Sequence, residues 1–109
     1  MAPIVCLRSV EIPHENEQAF YDWIEHNRPL RRRMGCLMER VLKPSDGHGE
    51  TLIITMWQSH EVFDAWIKSP QHDAVDASPG HALVRFHPIK RYDVAAGYQL
   101  QGGAGVSPA

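Results

Sequence analysis

The sequence predicts an α+β domain with a four-stranded antiparallel sheet and two helical segments on one of its faces. Three observations carry this. Short β-branched runs alternate with stretches of helical period in the order strand, helix, strand, strand, helix, strand. The second and third strand-like runs are joined by PSDGHGE, a turn-rich loop short enough for an antiparallel hairpin. The chain has 109 residues, 43% of them apolar, which suits one core and is too short for two domains.

The elements follow in order. Ile4 to Ile12 (IVCLRSVEI) reads as the first strand, with Ile4, Cys6, Arg8, Val10 and Ile12 on one face, and Pro13 stops it. From Glu15 to about Asn27, Phe20, Trp23, Ile24 and Asn27 fall at i, i+3, i+4 and i+7, the stripe of an amphipathic helix. Pro29 is expected to kink or end that helix, with Arg28 pushed towards an extended conformation and Leu30 to Met34 adding at most one turn. Gly35 opens a second strand, Cys36 to Lys43, and Thr51 to Gln58 forms the third. That third strand is apolar on both faces: Leu52, Ile54 and Met56 on one, Ile53, Thr55 and Trp57 on the other.

Ser59 is a good N-cap for a second helix, with Glu61 complementing its dipole and Val62, Phe63, Trp66 and Ile67 forming its stripe. Ser69-Pro70 interrupts it and restarts a short helical turn that carries His72. Leu83 to Val94 holds the last strand, with Pro88 as a bulge or edge feature. The domain spans residues 1–95, and residues 96–109, rich in glycine and alanine, read as a flexible tail.

This order is the ferredoxin-like βαββαβ arrangement. Helices cover only one face of such a sheet, so the apolar second face of the third strand predicts a homodimer.

The formal charge of −2 argues against a nucleic-acid partner. No apolar run approaches the roughly 20 residues that span a bilayer, and the start lacks a basic segment leading into a long apolar one, so a cytoplasmic, non-membrane protein is expected. Cys6 and Cys36 make no disulfide framework and are expected reduced and buried. No histidine pair has zinc-site spacing with supporting ligands, and there is no phosphate-binding glycine loop.

Three residues stand out as site candidates. Arg8 lies mid-strand on an apolar face, where an unpartnered guanidinium is costly. It is expected either to pair with Asp22 or Glu25 of the first helix or to project into a cavity and bind a carboxylate, phenolate or enolate. His72 is either a local helix-start histidine or a general base. Trp57 ends the third strand, where it packs in the core or interface and also walls a pocket. Trp23, Phe63 and Trp66 read as core, Arg31 to Arg33 as a solvated helix end, and His14, His26, His48 and His60 as solvated.

The segment from Trp57 to His72 has the pattern W-x-S-x-E-x-F-x-x-W-x-x-S-P-x-H. It resembles the antibiotic biosynthesis monooxygenase family over about residues 4 to 94. The resemblance implies a dimeric α+β barrel. It also implies an oxygenase that acts on a small aromatic or otherwise planar substrate without a dedicated cofactor. On this reading Trp57 matches a pocket tryptophan, and Arg8 stands where such oxygenases carry a pocket asparagine. Haem-degrading members of the same superfamily place an axial histidine where this chain has Val75 or Asp76, with His72 a turn earlier and His81 slightly later. Haem binding is therefore the alternative, and a non-catalytic small-molecule-binding or stress-response module is another. A space filled by side chains beneath Arg8 and Trp57 is the mark of that last class.

Overall fold

The computed structural model describes residues 2–98. Strand β1 (Ile4–Glu11) leads through a 3-10 turn at His14–Asn16 into helix α1 (Glu17–Arg33). Strands β2 (Cys36–Leu42) and β3 (Thr51–Trp57) form the antiparallel hairpin expected from the loop between them. Helices α2 (His60–Ile67) and α3 (Pro70–Asp76) follow, then a 3-10 turn at Pro79–Leu83 and two short strands, β4 (Arg85–Phe86) and β5 (Lys90–Asp93). The sheet order is β2-β3-β1-β4, with β5 also pairing with β1, and every pairing is antiparallel. This is the ferredoxin-like α+β fold. Residues 99–109, most of the expected tail, lie outside the described residues.

The caps fall where hydroxyl chemistry puts them. Ser59 accepts from the Val62 amide at 3.1 Å, and Ser69 accepts from the His72 amide at 3.1 Å with Pro70 behind it. Pro29 does not end α1: Arg28 stays helical and not extended, and the further turn expected from Leu30 on carries the helix to Arg33. The proline removes a donor for the Glu25 carbonyl, and one turn on, Arg31 Nη2 reaches back to bond the Ile24 carbonyl at 2.7 Å. The same guanidinium grips Glu39 of β2 through both carboxylate oxygens, at 2.6 and 2.8 Å. Arg31 is thus a nearly buried anchor of α1 on the sheet, not part of a solvated run.

The last strand is also not continuous. Leu7 of β1 opposes Lys90 and Val10 opposes Phe86, so Arg8 and Ser9 stand across from His87, Pro88 and Ile89. One extra residue on the outer strand is a β-bulge, and Pro88, which cannot donate to a ladder, sits in it.

The β1–β3 register places Ile4, Cys6, Arg8 and Val10 beside Trp57, Thr55, Ile53 and Thr51 on the helix-covered face. Two buried clusters fill that face. One gathers Ile4, Cys6, Cys36, Trp57, Phe63, Trp66 and Val75; the other gathers Val10, Phe20 and Ile24 under α1. Both cysteines are free and buried, and burial pushes the Cys36 thiol up to about 11. The opposite face carries Val5, Leu7, Leu52, Ile54 and Met56, and among the described residues no helix covers it.

Candidate functional site

Between the two clusters lies a cavity of about 370 Å³, within the range of small-molecule sites. Its body is aromatic, with Phe20, Trp23, Trp57, Phe63, Trp66 and Phe86 among the walls. Its polar end gathers Arg8, His72, Asp76 and His81. The structure therefore brings Arg8, Trp57 and His72, from three separate elements, onto one cavity.

Trp57 is both core and wall. It is 1% exposed, its ring stacks on Trp66 at 5.8 Å, and it meets Phe63 edge-on at 5.2 Å. Its indole N–H is satisfied by Thr55 Oγ1 at 3.0 Å, so nothing polar on Trp57 calls for a ligand.

Arg8 makes no pair with α1. Asp22 accepts from Gln18 and Glu25 faces Arg28 at 3.9 Å, both on the outer side of the helix. Instead, Arg8 Nε donates to the His87 carbonyl at 2.8 Å, and the guanidinium lies over the Phe86 ring at 4.6 Å. The two terminal amino groups of Arg8 have no hydrogen-bond partner among the described residues. Burial pulls the Arg8 pKa down, and the Asp76 charge opposes this. A guanidinium remains charged regardless. The result is a half-buried cation fixed at Nε and open at its forked end.

His72 packs edge-on against Trp66, with ring centres 5.2 Å apart. Its Nδ1 is shut off from solvent and lacks a hydrogen-bond partner. Its Nε2 lies 3.6 Å from Asp76 Oδ2 and is the nitrogen left to meet a ligand.

Two members of the polar end, Asp76 and His81, enter the sequence reading only as places bearing on haem ligation and not as neighbours of Arg8 and His72. Asp76 follows His72 by four residues on α3, a spacing that puts both on one helix face. That signal was legible. His81 arrives from the 3-10 turn, with Nε2 3.8 Å from Asp76 Oδ1 and its ring 4.7 Å from Phe86. No periodicity foretells it. The turn seats against α1 through Gly80, where a Cβ would come within 2.0 Å of Trp23 Cδ1, and through the Trp23 Nε1 bond to Ser78 Oγ at 2.8 Å. His60 is solvent-exposed as expected, and at the surface it also pairs with Asp93 at 2.7 Å, between α2 and β5. Among the described residues no group of three or more His, Cys, Asp or Glu side chains is placed to hold a metal ion, and no helix is long and apolar enough to cross a membrane.

Comparison with known proteins places this geometry in context. The family profile described as Antibiotic biosynthesis monooxygenase matches residues 3–78. A heme oxygenase (mycobilin-producing) of Mycobacterium tuberculosis is 28% identical over 80 residues, covering 72% of this chain and 73% of that protein. Among solved structures, the M. tuberculosis heme-degrader MhuD with two hemes in its active site superposes with a TM-score of 0.70 at 20% identity, covering 88% of this chain and 99% of that one. SnoaB, a cofactor-independent oxygenase from Streptomyces nogalater, superposes with a TM-score of 0.70 at 16% identity, covering 94% and 100%. At such identities the superpositions speak for the fold, not for a shared reaction.

Proposed function

The chain belongs to the antibiotic biosynthesis monooxygenase family, and from that premise we propose that it is a small monooxygenase acting on a planar aromatic substrate without a dedicated cofactor. The observation that carries this reading is Arg8: a cation with a free forked end, fixed in an aromatic cavity within the same lining as an imidazole.

The chemistry follows from those groups. His72 Nε2 accepts the proton that an enolisable or phenolic substrate releases, and Arg8 holds the oxyanion that results. The ring carbon made electron-rich by that anion gives its electrons to O2. An aromatic-flanked CH2 becomes C=O, while its two hydrogens and the second oxygen atom leave as water. The substrate supplies all four electrons, so no external reductant is needed. Trp57, Trp66 and Phe63 hold the planar body and keep the site dry. The open cavity beneath Arg8 and Trp57 speaks against a filled, non-catalytic module.

The assembly we propose is a homodimer packed through the uncovered sheet face, because Val5, Leu7, Leu52, Ile54 and Met56 otherwise meet water.

Haem is the second reading, favoured by the M. tuberculosis heme oxygenase. The donor set of this chain does not fit it. At the place the resemblance gives to the axial histidine, Val75 carries no donor atom and Asp76 offers a carboxylate in place of an imidazole, while His72 and His81 stand a turn away on either side. Two measurements decide. Oxygen uptake with anthrones, whose CH2 lies between two aromatic rings, is expected to exceed the uncatalysed rate and to fall in Arg8→Ala and His72→Ala. A stoichiometric haem Soret shift lost in His72→Ala, with no stimulated oxygen uptake by any of these aromatics, would overturn the cofactor-free reading.

A further inference from the structure

The polar end of the cavity is not simply cationic. Asp76 lines it together with Arg8, and among the described residues the two form no ion pair with each other. The two carboxylate oxygens of Asp76 are approached only by imidazole Nε2 atoms, His72 at 3.6 Å and His81 at 3.8 Å, both longer than a hydrogen bond. Among the described residues the Asp76 carboxylate accepts no hydrogen bond at all. Across from it, Arg8 has committed Nε to the His87 carbonyl and keeps its terminal N–H groups. One cavity thus presents uncommitted donors carrying positive charge and uncommitted acceptors carrying negative charge.

A ligand that offers only an anion satisfies Arg8 and is repelled by Asp76. A ligand with two anionic groups is repelled more strongly. The chemistry that satisfies both is an aromatic with two neighbouring oxygen functions, one ionised and one still protonated: the oxyanion accepts from Arg8 and the hydroxyl donates to Asp76. We infer that Asp76 is a specificity-determining residue of this cavity, selecting planar aromatics of the hydroxy-oxyanion type over those with a lone oxygen or a blocked hydroxyl. This deepens the proposed function and rests on its placement of an oxyanion at Arg8. The discrimination works by repulsion as well as attraction, because a methyl ether at the same place leaves the carboxylate facing a group that cannot donate. Asp76 sits at the half-exposed mouth of the cavity, so solvent moderates the effect.

The test needs no turnover. 2,3-Dihydroxynaphthalene and its monomethyl ether, 3-methoxy-2-naphthol, are titrated into the protein by calorimetry at mildly alkaline pH, where a share of each is ionised. The wild-type chain is expected to bind the diol about fivefold more tightly than the ether. Asp76→Ala is expected to bring the ratio to near unity, and Asp76→Asn, which keeps a neutral acceptor, to an intermediate value. Arg8→Ala weakens both probes and leaves the ratio standing. Equal binding of both probes by the wild-type chain, or a ratio unchanged in Asp76→Ala, overturns the role of Asp76 and leaves the oxyanion site at Arg8 intact. Failure of both probes to bind the wild-type chain, or of the diol alone, overturns both.

Discussion

At Arg8 the guanidinium divides its work between a backbone carbonyl and the cavity, and this division makes its two roles separable by mutation. Removing the side chain breaks one hydrogen bond to His87 and one contact with the Phe86 ring, but leaves no carboxylate stranded within ion-pair distance. Arg8→Ala is therefore expected to lose about 1.5–3 kcal/mol of binding to an anionic aromatic, while the melting temperature falls only by the equivalent of about 1 kcal/mol. A titration beside a melting curve checks this, and a large stability loss with unchanged affinity would remove Arg8 from the site. The sequence placed Arg8 on the covered face correctly. It could not choose between Asp22, Glu25 and a cavity, because that choice depends on which side of α1 meets the sheet. Phe20 and Ile24 take that side and turn both acids outward. Cys36 gives a second residue-level expectation. Its folded thiol titrates near 11 against an ordinary 9.0, so between those values the folded state holds a proton that the unfolded chain has lost. Stability should fall as pH rises through that window, and Cys36→Ala should flatten the fall in denaturant melts taken at stepped pH.

Among the elements, α1 is the one whose attachment was least legible. A proline inside it and three arginines at its end read as a helix stopping early in solvent, yet the helix continues and Arg31 clamps it to Glu39 with both partners nearly buried. The pairing of a helix-end arginine with a strand glutamate is a tertiary fact that no local pattern carries. Glu39→Ala is expected to cost about 3–5 kcal/mol by leaving Arg31 buried and unpaired, whereas Arg31→Met with Glu39→Leu should recover much of that loss. Chemical denaturation of the two variants tests the contrast. The seat of the 3-10 turn is equally demanding. A methyl group at Gly80 would collide with the Trp23 ring, so Gly80→Ala should destabilise the fold by about 1–3 kcal/mol and displace His81 from the cavity. The shift is readable in the His81 imidazole resonances. By contrast, α2 and α3 were legible almost to the residue, since Ser59, Ser69 and Pro70 mark helix starts by chemistry that acts within one turn.

For the molecule as a whole, the uncovered face of the sheet sets the expectation. A homodimer buried through it should hide about 2,000 Å² or more in total and scatter light as twice 12.3 kDa. Ile54→Asp, at the centre of that face, should yield a monomer of reduced stability, and a wild-type monomer at micromolar concentration would end the dimer proposal. The topology and the aromatic wall were readable because period and capping act locally. The polar end was only half readable, because it is assembled from β1, α3 and a turn distant in sequence. The bulge opposite Arg8 has a consequence of another kind. Two residues of β1 face three residues of the outer strand, and the extra length presents the His87 carbonyl that orients the guanidinium. If Arg8 holds the ligand as proposed, ligand preference depends on a count of residues as well as on their identity. Loss of one residue from His87–Ile89 leaves two residues opposite two, so the pairs Leu7–Lys90 and Val10–Phe86 can keep their register while the bulge that presents the His87 carbonyl to Arg8 disappears. A change of length at this strand edge would then act on how the guanidinium is held, where a substitution of the His87 side chain keeps the backbone carbonyl in place.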